Sequence, residues 1–327
     1  MRCVFMLASE YGLKCLQEII DNVYIHVVGI VTTNKEFELR YGQGMRKKMI
    51  NAVYDKLVDI SKELKIPVYA IQKMNSPETI YQLQQWNPEI IVVSGWYHLI
   101  GSKILQMPRY GVIGLHSSLL PKYRGGAPLV WQMINGEEYT GITLFYMDEG
   151  VDSGDIIGQK RIKIEYLDTI NTLYNKVGIE GIKLLKEGLN NIAQGRIVRR
   201  KQYNLREEDI YPQRNPTDGV INWKQSSNKI YDFVRAQTKP YPGAYFVFGK
   251  YKIIVWACEI VKKEISLLTG REIMPGTVLE IANDKSSYMI STCDEEKMIK
   301  VVDCTAYDER GQEINISECN LEIGKIL

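Results

Sequence analysis

The chain has 327 residues, of which 45% are hydrophobic and 24% are charged. This length suits about two domains, and the apolar fraction is large enough to fill two cores. The 41 Lys and Arg residues against 39 Asp and Glu residues leave a formal charge of +2, which argues against binding a polyanion through bulk charge. The composition also excludes a disordered protein, a fibre and a polytopic membrane protein.

Six cysteines are spread along the sequence without a C-x-x-C pair, and no Cys/His cluster has the spacing of a zinc site. We therefore expect reduced thiols and no bound metal. The first residues run straight into a strand-like segment, which a secretory signal does not do. No stretch reaches the roughly 18 apolar residues that cross a bilayer. The sequence predicts a cytoplasmic protein without membrane contact.

The first half of the chain alternates apolar runs with amphipathic stretches. Apolar runs indicate buried strands, and apolar residues three or four apart indicate helices. This alternation predicts right-handed crossovers and an open, mostly parallel, doubly wound α/β sheet of the Rossmann-like class. The predicted strands are 3–8, 24–32, 67–70, 89–94, 111–115, 143–147 and 155–159, and the predicted helices lie around 13–20 and at 54–64, 79–86 and 169–192.

The turn-rich segment Tyr211-Pro-Gln-Arg-Asn-Pro-Thr-Asp-Gly, which follows a mixed basic and acidic stretch, predicts a domain boundary. We assign residues 1–204 to the α/β domain, 205–214 to a linker and 215–327 to a second domain. Within the second domain, one helix at 228–238 precedes short strands with turns at Tyr241-Pro-Gly, Pro275-Gly and Asn283-Asp. This pattern is typical of a small, OB-like β-barrel.

Two common nucleotide motifs do not occur in the sequence. The turn after the first strand, Ala8-Ser-Glu-Tyr-Gly12, lacks the G-x-G-x-x-G that brings backbone against a pyrophosphate. A G-x-x-x-x-G-K-[ST] loop is also missing. The sequence therefore argues against dinucleotide and P-loop chemistry.

Polar side chains concentrate in the segment GVIGLHSSLLPKYRGGAP, residues 111–128. A predicted strand delivers His116 to its C-terminal end, where ligands gather in open α/β sheets. The cations Lys122 and Arg124 follow, and Gly125-Gly126 allow close backbone approach. Farther along, the loop MDEGVDSGD places several carboxylates between two strands of the same sheet. A histidine beside a carboxylate is a general acid–base pair.

Structural explanations of the same residues remain open. A single histidine at a strand end is more often a structural residue than a catalytic one. The cases for His26, within an apolar run, and His98, after Trp96-Tyr97, are weaker than that for His116. The carboxylates of the loop also fit a solvated surface or helix caps. These residues alone therefore predict a cleft with His116 and one carboxylate, but they do not identify a reaction.

The motifs HSSLLPKYRGGAP and GITLFYMDEGVDSGDII resemble those of the folate-dependent formyltransferases. The combination of S-L-L-P-x-Y-R-G with D-x-G at this separation is specific to that family. The resemblance extends over nearly the whole chain, since Ile221-Asn-Trp, Val234-Arg-Ala with Tyr241-Pro-Gly-Ala, and Pro275-Gly-Thr-Val are similar to the family's C-terminal barrel domain. Two-domain members act on methionyl-tRNA or on aminoarabinose.

This resemblance implies transfer of a formyl group from 10-formyltetrahydrofolate to a primary amine, without a metal. His116 matches the family's catalytic histidine, which stabilises or protonates the oxyanion. Asp152 matches the aspartate that pairs with this histidine and helps to accept the proton of the amine. The resemblance also implies a folate site formed by His98, Leu99, Ile100, Ser118, Leu119, Leu120, Pro121, Asp148, Glu149, Gly150 and Val151.

One position departs from the family pattern. The family has a third catalytic residue, an asparagine, two positions before the histidine, where this chain has Gly114. The loss of one oxyanion donor typically costs on the order of 10²–10³ in rate. Three explanations follow: another donor replaces the asparagine, the enzyme is slow, or the chain is a folate-binding paralogue without transfer activity. We favour the first, because His116, Asp152 and the S-L-L-P turn are intact.

The sequence leaves two acceptors open, a nucleotide-linked amino sugar and initiator methionyl-tRNA. A tRNA acceptor requires a basic path for phosphates. The segment 33–48 lies where the tRNA enzyme has a basic loop, and it contains Arg40, Arg46, Lys47 and Lys48 together with two glutamates. The near-neutral charge and the linker YPQRNPTDGVINW, closer to that of the aminoarabinose enzyme, favour the sugar.

We therefore expect Lys122, Tyr123 and Arg124 to hold the diphosphate or the sugar of the acceptor. The alternative, an exposed turn with structural ion pairs, remains open for these three residues. A barrel edge or the polar segment 261–272 offers a surface for a homodimer.

Overall fold

The computed structural model describes residues 1–41, 45–203, 206–263, 273–282 and 287–327. The predicted turn at Asn283-Asp, and most of the polar segment 261–272, lie outside these residues. By its internal contacts the chain divides into two units. The first contains residues 1–128, 139–163 and 176–213, and the second contains residues 129–138, 164–175 and 214–327. The domain boundaries drawn from the sequence stay predictions.

A seven-stranded sheet forms the first unit. Its strands are β1 (Arg2–Leu7), β2 (His26–Thr33), β5 (Val68–Ile71), β6 (Ile90–Ser94), β7 (Val112–His116), β9 (Tyr139–Tyr146) and β10 (Ile156–Lys163). They lie in the order β10-β9-β7-β6-β1-β2-β5. The five strands from β7 to β5 are parallel, and β9 pairs antiparallel with both β7 and β10. Two short ladders accompany the sheet, β3 (Glu36–Tyr41) with β4 (Met45–Ile50) and β8 (Arg124–Gly125) with β11 (Ile210–Tyr211).

Helices connect the parallel strands, and short polar residues set their ends. The Ser9 side chain accepts a hydrogen bond from the Gly12 N–H at the start of the first helix, and Ser76 caps the third helix before Pro77. Asn87 ends that helix in a left-handed conformation with φ 46°. The helices are α1 (Glu10–Ile19), α2 (Tyr54–Leu64), α3 (Pro77–Trp86), α4 (Ser102–Leu105), α5 (Pro128–Ile134), α6 (Ile170–Ala193) and α7 (Ser227–Arg235).

The second unit contains a separate antiparallel sheet. Its strands are β12 (Ala244–Phe248), β13 (Tyr251–Lys262), β14 (Val278–Ile281), β15 (Tyr288–Ser291), β16 (Lys297–Tyr307) and β17 (Glu313–Ile314). They lie in the order β12-β13-β16-β15-β14, and β17 pairs with β16. This unit has its own core, in which Trp223 packs edge-on against Phe246. The predicted class, a Rossmann-like doubly wound sheet with a smaller β domain, is confirmed.

The structure differs from the sequence analysis at residues 33–48, which we treated as a basic loop. β3 and β4 form an antiparallel hairpin there, and its register places Glu38 opposite Lys48. In the sequence Phe37, Leu39 and Tyr41 alternate with charged residues, and this period of two is the signal of a strand.

The strand order reverses between β1 and β6, which are adjacent and parallel. Ligands of doubly wound sheets bind beyond the carboxyl ends of strands at such a reversal. The loop 95–101 follows β6, and the segment from Ser117 follows β7. The fold therefore brings the two predicted loops of the site to one edge of the sheet.

Candidate active site

His116 is the last residue of β7, a strand whose other members are buried or half-buried. Its side chain is only 8% exposed. The ring Nε2 lies 2.7 Å from the carbonyl oxygen of Tyr123. A carbonyl oxygen can only accept, so Nε2 carries the hydrogen in this contact. The neutral ring consequently has its lone pair on Nδ1.

Nδ1 of His116 faces Asp152, as the sequence predicted for these two residues. It lies 3.4 Å from Oδ2 of Asp152, longer than an ordinary N–H···O hydrogen bond. The same Oδ2 accepts a hydrogen bond of 2.8 Å from the backbone N–H of Gly125. The Asp152 side chain is 19% exposed, and its backbone is left-handed with φ 49°. The Gly125 N–H thus holds the carboxylate oxygen that faces the histidine ring. Together His116, Tyr123, Gly125 and Asp152 form what we call the inner floor of the site.

Two side chains hold the turn that follows His116, and the sequence analysis missed both. The hydroxyl of Thr143 donates to the carbonyl of Ser118 at 2.6 Å and accepts from the N–H of Leu120 at 3.1 Å. The amide of Gln159 donates to the carbonyl of Leu120 at 2.9 Å. Both residues project from neighbouring strands, β9 and β10. The Ser118–Pro121 turn is therefore held by the sheet itself.

A cavity of about 380 Å³ lies next to Asp152. The loop after β6 forms one side of the cavity, and the carboxylate-rich loop after β9 forms the other. Asp152 belongs both to this lining and to the inner floor. We call residues 98–102 and 147–151 the outer wall. This wall includes seven of the predicted folate residues. These seven are His98, Leu99, Ile100, Asp148, Glu149, Gly150 and Val151. Ser118, Leu119, Leu120 and Pro121 do not line this cavity.

The outer wall is largely apolar at its mouth. Leu99 is 88% exposed there, although it is a leucine. His98 packs beside Trp96, with 5.5 Å between ring centroids. Burial lowers the pKa of His98 below its ordinary value of 6.5, which makes it a neutral ring at neutral pH. The wall thus presents apolar and uncharged aromatic surface, with acidic residues confined to one loop.

Asn75 is a further residue that the sequence analysis missed. Its side-chain amide donates to the carbonyl of Leu99 at 3.0 Å and its oxygen accepts from the N–H of Gly101 at 2.7 Å. Across the cavity, the hydroxyl of Ser102 donates to Glu149 and connects the two halves of the outer wall. No motif marks either residue, since each makes its hydrogen bonds to a segment at least 24 positions away in the chain.

Gly114, at the position of the family's asparagine, is buried two residues before His116. A Cβ at this glycine would lie 3.4 Å from Sδ of Met147 and 3.6 Å from a ring carbon of Phe145, which are ordinary contacts. Both neighbours line the cavity. The backbone at Gly114 thus accommodates a side chain, and one placed there would point toward Met147.

The three residues expected at the acceptor differ in placement. Lys122 is exposed, whereas Tyr123 and Arg124 are buried. Arg124 is only 4% exposed, and its guanidinium donates to the carbonyls of Val151 and Arg206. The Arg124 side chain therefore holds backbone of the first unit together.

Within the described ranges, no group of three or more His, Cys, Asp or Glu residues could hold a metal ion. Over the same residues, none of the helices is long and apolar enough to span a membrane.

Comparison with known families now identifies the class. Residues 4–189 match the formyl transferase family, and residues 214–319 match the formyl transferase C-terminal domain. The chain belongs to the formyl transferase family and is an enzyme that transfers formyl groups.

Individual relatives represent two branches. The chain is 33% identical over 302 residues to a methionyl-tRNA formyltransferase of Clostridioides difficile, covering 92% of each chain. It is 35% identical over 259 residues to the bifunctional polymyxin resistance protein ArnA of Wigglesworthia glossinidia brevipalpis, covering 77% of this chain and 37% of the relative. Among solved structures it is similar to WlaRD, a sugar 3N-formyl transferase, with a TM-score of 0.61, 19% identity and coverage of 96% and 98%. The structural likeness supports the fold.

Proposed function

We propose that this enzyme transfers the formyl group of 10-formyltetrahydrofolate to the primary amine of a nucleotide-linked amino sugar. The observation that carries the proposal is the pairing of His116 with Asp152 beside a cavity of about 380 Å³. A base, an acidic partner and an adjoining cleft are the parts that amide formation needs.

The residues of the outer wall fit a reduced folate. The volume lies within the range of small-ligand sites, about 300–1,000 Å³. Apolar side chains such as Leu99, Ile100 and Val151 suit the faces of a pterin, and the carboxylate of Asp148 suits its N–H groups. When bound, the folate supplies the activated formyl carbonyl. The structure of WlaRD with 5-N-formyl-THF adds support from a related fold.

His116 acts as the proton acceptor in this proposal. Because Nε2 is held by the Tyr123 carbonyl, Nδ1 takes up the proton that the acceptor amine loses as it becomes an amide. The imidazolium that results faces Asp152, whose carboxylate stabilises it. The N–H of Gly125 keeps that carboxylate in place throughout. As the new amide bond forms, the bond between the formyl carbon and the folate nitrogen would break, and the proton held on Nδ1 of His116 would pass to that leaving nitrogen.

The choice of the sugar rests on charge and exposure. The register of the β3–β4 hairpin places Glu38 opposite Lys48, so a carboxylate offsets a cation along the surface where a tRNA would need positive charge. The chain as a whole carries a formal charge of only +2. Lys122 is exposed on the turn that follows His116, where it can contact a diphosphate.

Initiator methionyl-tRNA is the second candidate acceptor. The observation in its favour is the 33% identity, over 92% of both chains, to a methionyl-tRNA formyltransferase. Lys48, an exposed cation of β4, is compatible with a phosphate contact.

A direct assay separates these acceptors. The purified chain is incubated with 10-formyltetrahydrofolate and, in parallel, with nucleotide-linked amino sugars and charged initiator tRNA, and the formyl amide is measured by mass spectrometry. Formylation of an amino sugar that is lost in His116→Ala supports the proposal. Formylation of the tRNA alone makes the acceptor wrong, and no product with any amine contradicts the proposed transfer.

A further inference from the structure

Two pieces of chain after α6 contact the inner floor, one beside Asp152 and the other beside Tyr123 and Gly125. We call residues 200–203 and 206–213 the strap. At its start the backbones of Arg200 and Ile156 exchange two hydrogen bonds, of 2.8 and 3.0 Å. At its end β11 pairs in parallel with β8, and the N–H of Gly126 donates to the carbonyl of Tyr211 at 2.8 Å.

The first piece of the strap holds the backbone of Asp152. The side-chain amide of Gln202 donates to the carbonyl of Asp152 at 2.9 Å and to the carbonyl of Gly154 at 2.7 Å. One amide group thus bridges both ends of the turn that carries the carboxylate. The left-handed φ of 49° at Asp152 is uncommon outside glycine, although aspartate adopts it more readily than most other residues. Because local preference does not fix this conformation, the two hydrogen bonds from Gln202 matter for where the carboxylate lies.

The second piece holds the partner of His116. The ring of Tyr211 stacks on the ring of Tyr123, with centroids 4.7 Å apart and an angle of 25°. The carbonyl of Tyr123 is the group that accepts from Nε2 of His116. The backbone of Tyr211 also lies very close to Gly125, since a Cβ added at Gly125 would be 2.4 Å from the carbonyl oxygen of Tyr211. The glycine pair that the sequence marked for close backbone approach is therefore approached by the protein's own strap.

We infer that the strap is a positioning element of the formyl-transfer site, with Gln202 fixing Asp152 and Tyr211 fixing the carbonyl that orients His116. This inference deepens the proposed function and rests on it for its kinetic consequence. Catalytic groups misplaced by about 1 Å lose on the order of 10² in rate. Gln202 and Tyr211 act through other residues and have no assigned contact with a substrate.

The kinetic test uses Gln202→Glu in the full chain. The carboxylate keeps the size of the side chain but replaces the N–H donor with an acceptor opposite two carbonyl oxygens. We expect kcat to fall at least about tenfold while KM for either substrate stays within about twofold. The matched control is Gln194→Glu, the same change at an exposed position, which we expect to keep wild-type kcat. Unchanged kcat in Gln202→Glu overturns the inference, as does a rise in KM without loss of kcat.

A second measurement needs no substrate and so separates this inference from the proposed function. The chain has only three histidines, so its ring ¹⁵N signals are few. At one neutral pH, Gln202→Glu and Tyr211→Ala should each shift the ring signals of His116 and leave those of His26 unchanged. Tyr203→Ala, at a tyrosine of the strap that is 70% exposed, is the control. Unshifted His116 signals in both variants overturn the inference even when formyl transfer is established.

Gln202→Met covers the case in which Gln202→Glu does not fold. Methionine keeps the length of the side chain and removes both hydrogen bonds without adding a charge. We expect the same loss of kcat and the same His116 shift in this variant. A folded Gln202→Met enzyme with wild-type kcat and wild-type His116 signals contradicts the positioning role.

Discussion

The outer wall and the inner floor of the site differ in the polarity of the groups that they present. The outer wall exposes apolar side chains such as Leu99 and Val151, and two of its backbone groups are held by Asn75. The inner floor places His116 and Asp152 among fixed backbone donors and acceptors. Apolar surface contributes binding energy through burial, whereas oriented polar groups act on the reacting atoms. Under the proposed function, binding and chemistry fall in different parts of one site, so changes in the two regions should affect KM and kcat differently.

His116→Ala is the change with the largest expected effect. It removes the proton acceptor of the inner floor and leaves the outer wall intact, so kcat should fall by roughly 10²–10⁴ while KM for the folate changes little. Steady-state kinetics with both substrates measures this. His26→Ala, at an exposed histidine, is the control. A large rise in KM for the folate with normal kcat would place His116 in the binding region and remove the distinction.

Gly114→Asn tests the border between the two regions. A Cβ has room at this glycine, 3.4 Å from Sδ of Met147, and an amide there can donate toward the cavity. If no other donor has replaced the family's asparagine, kcat should rise by up to about 10². Gly114→Ala fills the same first contact without a donor and should not raise kcat. Equal kcat in the two variants means that the missing donor does not limit the rate.

The proximity of His116 and Asp152 could be predicted because both residues belong to continuous motifs. His116 and Asp152 lie in segments whose spacing is specific, and β7 delivers the histidine as the apolar run 111–115 indicated. Helix α2 was predicted at its observed ends, since the apolar spacing and the following proline at 67 mark both. Local patterns of this kind depend only on neighbours in the chain.

The supports of the site escaped prediction for a physical reason. Asn75, Thr143, Gln159 and Gln202 donate to backbone carbonyls of other segments, between 24 and 50 positions away in the chain. Any polar side chain can make such a bond, and only tertiary placement decides which one does. The hairpin of β3 and β4 was missed for another reason: its period-two pattern was visible, but the segment was compared with the basic loop of the tRNA enzyme and not considered as strands.

Asn75→Ala tests the outer wall alone. It removes the two hydrogen bonds that hold the Leu99 carbonyl and the Gly101 N–H, each worth about 1 kcal/mol. We expect KM for the folate to rise roughly tenfold with kcat within about twofold. Titration with the folate, followed by tryptophan fluorescence, checks the binding directly. Asn34→Ala, at an exposed asparagine, is the control. A loss confined to kcat would contradict the assignment of this wall to binding.

The smallest expected effect is a pH dependence of stability that comes from His98. Burial lowers its pKa below 6.5 in the folded chain, so the unfolded chain binds more protons as the pH falls through that value. The contribution of His98 to stability is therefore complete above about pH 6.5 and is lost as the pH falls through the lowered pKa. Thermal unfolding at about pH 7.5 and about pH 5.5 should show a larger fall in Tm for the wild type than for His98→Asn, which cannot titrate. His26→Asn, at an exposed histidine, is the control for the loss of a histidine elsewhere in the chain. Equal falls in Tm for the wild type and for His98→Asn would show that the outer wall accepts a charged ring. The outer wall would then not differ from the inner floor in excluding charge.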